Sequence, residues 1–103
     1  METTKGGVIE ERYPNGNLKS RATYKDGKKD GLCETWFPDG QLSTKTTYKD
    51  DKIDGLCEMW HENGQLMVKS TYKNGKLNGM YEMWYDDGQP LRRTTYKNGE
   101  LCL

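Results

Sequence analysis

The sequence predicts an all-β protein: a single-layer, elongated and twisted antiparallel sheet of stacked hairpins. The first observation behind this prediction is a period of 24 residues that runs without insertion or deletion. The positions that keep it include Gly31, Gly55 and Gly79, then Tyr24, Tyr48, Tyr72 and Tyr96, and the acidic column Glu10, Glu34, Glu58 and Glu82. The second observation is that only 32% of residues are hydrophobic, with a mean hydropathy of -1.10. Since this is too little apolar material for a two-layer core, we expect each unit to cover its neighbours.

The period divides the chain into an N-terminal tail and one repeat array. The tail is residues 1–6, and four units span 7–30, 31–54, 55–78 and 79–103. A chain of 103 residues is short for two globular domains, so the array is predicted to be a single domain. The regular aromatic and turn positions argue against a disordered chain, although the low hydrophobic content is also found in disorder.

Each unit contains two segments rich in β-branched or aromatic residues, and a turn signal follows each segment. In the second unit the two segments flank Asp39-Gly40, for which we predict a two-residue type I′ loop. A second turn follows Tyr48, where Asp51 replaces the Gly of the other units; Asp tolerates left-handed backbone at moderate cost. The four hairpins predict eight strands, followed by a short final strand at Leu101 to Leu103.

The predicted loop sets the cross-strand register and sorts side chains onto two faces. In every unit it places a glutamate opposite a cation: Glu10 and Arg21, Glu34 and Lys45, Glu58 and Lys69, Glu82 and Arg93. The tyrosine face is predicted to carry Tyr24, Tyr48, Tyr72 and Tyr96 with Leu18, Leu42, Leu66, the aromatic column Tyr13, Phe37, His61 and Tyr85, and the column Ile9, Cys33, Cys57 and Tyr81. The tryptophan face is predicted to carry Trp36, Trp60 and Trp84 with Arg12, Met67, Leu91 and the charged pairs.

Composition excludes several classes of partner and compartment. Sixteen basic residues balance sixteen acidic ones, so we expect no binding to nucleic acid. The alternation of Glu with Lys and Arg cancels the basic face that an anionic membrane would require, and no apolar stretch is long enough to span a bilayer. Cys33, Cys57 and Cys102 are odd in number and lack C-x-x-C spacing. This pattern favours reduced thiols in a cytoplasmic protein.

The residues that could carry catalysis have simpler interpretations as structural residues. Cys33 and Cys57 share a repeat position with Ile9 and Tyr81, which favours packing over nucleophilic chemistry. His61 belongs to the aromatic column and is interpreted as a substituted aromatic residue. Each glutamate of the acidic column has a cationic neighbour that keeps it ionised, the opposite of what a general acid needs. We therefore expect no enzyme, no metal site and no cofactor.

One sequence pattern resembles a known family. It reads Gly-x-x-Glu-x-Trp-aromatic-x-x-Gly-Gln-Leu and then Tyr-Lys-Asn-Gly-Lys-x-x-Gly, and it is clearest from Gly55 to Gly79. This pattern is similar to the MORN repeat in its short bacterial variant, and the resemblance covers residues 7 to 103. It implies antiparallel hairpins stacked into a twisted sheet. It also implies a relation to the YwqK-like antitoxins, or to MORN proteins that act as interaction scaffolds or contact lipid.

These features together predict a non-enzymatic module that binds another protein, and the expected partner is a toxin-like or effector protein that it neutralises. The alternatives are an inhibitor of a bacterial defence protein, encoded by a phage or mobile element, and a self-associating structural scaffold. The candidate anchors are Trp36, Trp60, Trp84, Met67 and Leu91, surrounded by Glu34, Lys45, Glu58 and Lys69. Self-packing of the tryptophans against neighbouring side chains remains open beside partner binding. The edge residues Leu101, Cys102 and Leu103 suggest a homodimer, formed edge to edge or face to face.

Overall fold

The computed structural model describes residues 6–102 and shows a single open antiparallel sheet, as predicted. Its Cα atoms extend over 50 × 32 × 11 Å, the dimensions of an elongated single layer. Nine strands pair in chain order: β1 (Gly6–Arg12), β2 (Leu18–Lys25), β3 (Lys28–Trp36), β4 (Leu42–Lys49), β5 (Lys52–Trp60), β6 (Leu66–Lys73), β7 (Lys76–Trp84), β8 (Pro90–Lys97) and β9 (Glu100–Cys102). Of the predicted tail only Gly6, which opens β1, lies within the described residues, and Leu103 of the predicted final strand lies outside them.

The turns between units are the type I′ loops of the sheet. Their two central residues both have positive φ, for example 52° at Asn74 and 82° at Gly75. Asp51 takes this conformation with φ of 68°, as its position in the repeat predicted. Its side chain is also used, because Asp51 Oδ1 accepts a hydrogen bond of 2.7 Å from the backbone N–H of Lys29. Lys29 of β3 therefore helps to hold the turn at Asp51, the one that lacks the usual glycine.

The turns within units differ from the prediction. We expected a two-residue type I′ loop at Asp39-Gly40, and this expectation is wrong: in this turn only Gly40 has positive φ, at 96°. The Gly40 N–H donates to the Phe37 carbonyl at 2.9 Å, and the Phe37 N–H donates to the Gln41 carbonyl at 2.8 Å. This is a three-residue loop, a type I turn followed by a left-handed glycine. Pro38 suits it because its ring fixes φ near the value that the first turn position needs.

The extra loop residue shifts the register only next to the turn. From Gly31 opposite Tyr48 to Thr35 opposite Thr44 the predicted register is confirmed, and so are all four glutamate–cation pairs. A β-bulge follows, after which Trp36 lies opposite Leu42 instead of Ser43. Since residues paired across strands share a face, the leucine column belongs with the tryptophans. We predicted the leucine column for the tyrosine face, and this prediction was wrong. The cause is the bulge that a three-residue loop introduces.

A second irregularity lies where one unit joins the next. Between the pairs Thr46–Cys57 and Tyr48–Ile53, three residues of β5 span the single residue of β4 that lies between Thr46 and Tyr48. Gly55 lies in this longer stretch with φ of 120°, a conformation that side chains disfavour. It also lies directly opposite Tyr72 on β6. The same glycine–tyrosine pairing recurs in the other units as Gly7–Tyr24, Gly31–Tyr48 and Gly79–Tyr96.

The interior of this sheet is the middle of the tyrosine face. The residues that the structure buries there are Thr46, Cys57, Val68 and Ser70. Cys57 is 3% exposed, and its sulfur lies 3.6 Å from the Thr46 hydroxyl, which confirms its interpretation as a small packing residue. The tyrosine rings border this strip, and Tyr81 meets Tyr96 edge to face with ring centroids 6.1 Å apart. The tryptophan face has no fully buried residue among residues 6–102.

Glycine is required in the irregular stretch at the start of β5, where Gly55 lies, but is dispensable in the tight turn between β6 and β7, where Gly75 lies. We expect Gly55→Asn to lower the free energy of unfolding by about 1–3 kcal/mol, because φ of 120° lies outside the left-handed region that Asn tolerates. Gly75→Asn is the matched control; its φ of 82° is close to that region, and we expect a loss of less than about 1 kcal/mol. Urea denaturation of both variants measures the difference. Equal losses would contradict the role assigned to the junction glycine.

Burial raises the pKa of Tyr72 above its ordinary value, and the nearby Cys57 and Tyr81 add to the effect. The folded chain therefore holds this proton to higher pH than the unfolded chain, whose tyrosine pKa is about 10. Stability is unaffected by this group below about pH 10 and falls as pH rises beyond it. We expect the unfolding free energy of Tyr72→Phe to decline less steeply with pH than that of the parent, measured by urea titrations from about pH 9 to 11. Parallel pH profiles would refute the assignment.

Candidate protein-interaction face

The tryptophan face carries a stripe of paired aromatic and aliphatic residues. Across each hairpin a tryptophan lies opposite a leucine or proline: Trp36 and Leu42, Trp60 and Leu66, Trp84 and Pro90. All three tryptophans are half-buried, so each ring packs on its neighbours and still presents part of its surface. In the first unit Arg12 replaces the tryptophan and lies opposite Leu18. The rings therefore pack on the sheet, as self-packing requires, and leave surface accessible to a partner.

Two of the predicted anchors owe their position to the β-bulge. Met67 is the extra residue of β6, so that Met67 and Leu66 together oppose Trp60. Leu91 has the same place beside Trp84. Met67 is half-buried, whereas Leu91 is 46% exposed. The structure therefore places both residues next to the tryptophans, as the sequence predicted, although through a different turn geometry.

A row of alternating charges runs beside the tryptophan stripe. Arg21 is bound most closely, with Nε 2.9 Å from Glu10 Oε2 and Nη1 3.9 Å from Glu34 Oε1. Its guanidinium carbon lies 5.6 Å from the centroid of Trp36, a cation–π contact. Arg93 Nε lies 3.6 Å from Glu82 Oε2. These exposed pairs contribute little to stability, about 0–1 kcal/mol each, but they arrange charge in a fixed pattern.

The two central glutamate–lysine pairs lie opposite each other on neighbouring strands, but their side chains do not form close ion pairs. Glu34 faces Lys45 and Glu58 faces Lys69. Within the described part of the chain neither lysine nitrogen lies within 4.0 Å of a carboxylate oxygen. Both lysine side chains are exposed. Long, solvated cations in this place can turn towards a ligand without breaking a strong internal bond.

Sequence reasoning missed a second apolar stripe on this face. Val8, Leu32 and Leu56 are exposed by 57%, 39% and 40%, and Met80 continues the column. Leu32 lies four residues before Trp36 on β3, and an even spacing on a strand places both on one face. The column keeps the 24-residue period, so the same alternation that located the tryptophans could have located it. The charge row therefore lies between two apolar stripes.

The aromatic column of the tyrosine face connects successive units; its members are Tyr13, Phe37, His61 and Tyr85. The Tyr13 hydroxyl donates to the Trp36 carbonyl at 2.6 Å, and His61 Nε2 lies 2.9 Å from the Trp84 carbonyl. Because a carbonyl only accepts, Nε2 of His61 carries the hydrogen in this arrangement. His61 therefore takes the place and the contact of a tyrosine, which supports its interpretation as a substituted aromatic residue. No group of residues suited to binding a metal occurs among residues 6–102.

The remaining predicted positions lie at the sheet edge. Leu101 pairs with Tyr96 and Cys102 with Thr95 in the short strand β9, and both are exposed. The thiols of Cys33, Cys57 and Cys102 are free. Among residues 6–102 the structure contains no helix that could cross a membrane.

Phe37 is the member of the aromatic column that cannot make the contact to the next unit. We expect Phe37→Tyr to raise the free energy of unfolding by about 0.5–1.5 kcal/mol, because its hydroxyl would reach the Trp60 carbonyl as that of Tyr13 reaches Trp36. The reverse change, Tyr13→Phe, should cost a similar amount. Urea denaturation of both variants checks the pair. A loss of stability in Phe37→Tyr would show that the units are not equivalent here.

The repeats were compared with known protein families. The model described as the MORN repeat variant matches four times, at residues 5–26, 29–50, 53–74 and 77–98, which is most of the chain. A comparison with curated proteins found no match. Repeats of this kind are non-catalytic modules that generally bind proteins or membranes. The stacked hairpins of the structure agree with four such repeats in tandem. The chain belongs to the MORN repeat variant family.

Proposed function

We propose that this protein is a binding module that recognises another protein through its tryptophan face. The observation that carries the proposal is the arrangement of two apolar stripes on either side of a charge row. One stripe contains Trp36, Trp60 and Trp84, and the other contains the exposed Leu32 and Leu56. Aromatic residues partly covered by neighbours are frequent centres of binding energy, and charged residues between them add orientation.

The choice of face rests on the difference in packing between the two sides. The tyrosine face buries its own centre at Cys57 and Ser70, and its exposed apolar residues Ile9 and Tyr85 lie in the first and last units. The tryptophan face offers apolar surface that the chain itself leaves open. A sheet of 50 × 32 Å is large enough to supply the roughly 800 Å² per partner of a standard interface. Protein is favoured over membrane as the ligand because the alternating charges cancel a basic surface.

The partner we propose is a toxin-like or effector protein, which the sheet neutralises in the manner of an antitoxin. The resemblance of the repeat pattern to short bacterial MORN repeats, which implies a relation to the YwqK-like antitoxins, supports this finer proposal. An inhibitor of a defence protein would use the same face, so the nature of the bound protein distinguishes the two. We also propose a cytoplasmic site of action, which the free thiols of Cys33, Cys57 and Cys102 support because they require a reducing compartment to remain unpaired.

The test is a triple variant in which Trp36, Trp60 and Trp84 are replaced by alanine. The parent chain is co-expressed with proteins encoded by adjacent genes, and rescue of growth and binding affinity by calorimetry are measured. We expect the parent to bind one of them and to suppress its toxicity. The triple variant should bind about 30-fold more weakly or worse, since a single centre of binding energy contributes about 2 kcal/mol or more.

The matched control replaces Lys25, Lys49 and Lys73 by alanine. These exposed lysines have the same 24-residue spacing but lie at the turns between units. We expect this control to bind and rescue like the parent. Circular dichroism verifies that both triple variants keep the sheet. Binding of the tryptophan variant with undiminished affinity would overturn the choice of face, and suppression of a defence protein instead of a toxin would replace the antitoxin role.

A further inference from the structure

The two edges of the sheet differ in the length of their outermost strand, which matters for self-association. β3, β5 and β7 have nine residues each, whereas β9 has three. β9 pairs with β8 only from Thr95 to Lys97. Along Arg92 to Thr94 the outer side of β8 has no strand partner among residues 6–102. At the other edge, β1 is exposed at every residue, and its outer side has no strand partner within the described range 6–102.

The repeat period shows which strand fits the open part of β8. Ile9, Glu10 and Glu11 of β1 have the repeat positions that Tyr81, Glu82 and Met83 have in β7. In the sheet, β7 pairs with β6 through Ser70–Tyr81, Lys69–Glu82 and Val68–Met83. Thr94, Arg93 and Arg92 of β8 have the repeat positions of those three β6 residues. A β1 strand from a second copy, placed in the same register, would therefore set Arg93 opposite Glu10 and Arg92 opposite Glu11. The same register sets Gly6 of that copy on the position of Cys102, so the pairing requires the three-residue strand β9 to leave β8.

The charge row on the tryptophan face ends with opposite signs at the two edges. From β1 to β8 it alternates Glu10, Arg21, Glu34, Lys45, Glu58, Lys69, Glu82 and Arg93. Every cation except the last lies between two strands that carry glutamate. Arg93 has Glu82 on one side only, and its side chain is 73% exposed. A second copy that presents Glu10 would continue the alternation without interruption.

On the tyrosine face, β1 and β8 also carry opposite charges, at repeat positions that are uncharged in the other strands. Glu11 is charged, whereas the equivalent residues in later units are Thr35, Met59 and Met83. Arg92 is charged, whereas the equivalent residues in earlier units are Ser20, Thr44 and Val68. Opposite charges thus occur in this row only on β1 and β8, the outermost strands that this row crosses. Charges on an edge strand discourage indiscriminate pairing, and opposite signs on the two edges select one partner and one orientation.

We propose that copies of this chain associate head to tail, with β1 of one copy adding to β8 of the next in place of the short strand β9, as a continuation of the sheet. Pairing of β8 with β8 would instead bring Arg92 and Arg93 beside their own copies, which costs electrostatic energy. The contact is heterologous, so each added copy leaves a free edge and assembly continues with concentration. This inference does not depend on the proposed function, because the contact uses the edges of the sheet and not the centre of its tryptophan face.

The test uses two charge-reversal variants of the full chain. One carries Arg92→Glu with Arg93→Glu, the other Glu10→Arg with Glu11→Arg; all four side chains are exposed, so both variants should fold. Sedimentation velocity of the parent should give a mean mass that rises with concentration to at least twice 11.9 kDa and falls in about 1 M salt. Each variant alone should remain at the mass of a single chain. An equimolar mixture should assemble again, because the reversed edges complement one another.

A control variant with Lys49→Glu and Lys73→Glu has the same change in net charge as the arginine variant, away from both edges, and should assemble like the parent. The triple tryptophan variant should assemble as well, which separates this contact from partner binding. Three results would overturn the proposal: a parent of single-chain mass at high micromolar concentration, a dimer that does not grow with concentration, or a mixture of the two variants that stays unassembled. Recovery on mixing also shows that the separate variants are folded.

Discussion

The pairing of a glycine with a tyrosine at each unit junction is the constraint on which the rest of this sheet depends. Gly55 has φ of 120° and lies opposite Tyr72, and the equivalent glycines repeat both features. The conformation lets three residues of one strand span one residue of the next, which adds local twist. A Cβ atom on Gly55 would lie 3.5 Å from the Cβ of Thr47 on β4, so the absence of a side chain leaves room for that threonine. A single backbone geometry thereby sets both the register of the units and the close packing of adjacent strands at each junction.

This constraint explains how a chain of low hydropathy keeps an ordered sheet. The buried centre around Cys57 and Ser70 is small, so the remaining stability must come from contacts between adjacent strands. Those contacts are local and repeat along the chain: backbone ladders, cross-strand pairs, and the bonds from Tyr13 and His61 to the next unit. In such an array each unit is stabilised by its neighbours rather than by a common core. The edge units are consequently the places where sequence departs most from the repeat.

The two faces of the sheet differ in how much of their apolar surface the chain itself covers. The centre of the tyrosine face is buried within the chain, whereas the exposed Leu32 and Leu56 lie along the middle of the other side. Each tryptophan is half-buried, so its ring packs partly on the sheet and leaves the rest of its surface accessible. The charge row between the stripes ends in Glu10 at one edge and Arg93 at the other, so a pattern that pairs strands inside the chain also gives its two edges opposite character. The proposed recognition across the face and the proposed association along the edge therefore depend on different parts of one repeated pattern.

The sequence by itself determined the fold class, the unit length, the glutamate–cation register and the positions of the turns between units, because each depends on local residue identity repeated at a constant spacing. It also placed Trp36, Trp60 and Trp84 on one face, since strand alternation is independent of tertiary context. Only the tertiary structure decided where the leucine column lies, because Pro38-Asp39-Gly40 can form a two-residue or a three-residue loop and the choice shifts every side chain beside it. The exposure of Leu32 and Leu56 was likewise decided by tertiary packing, since burial depends on which face the whole sheet covers.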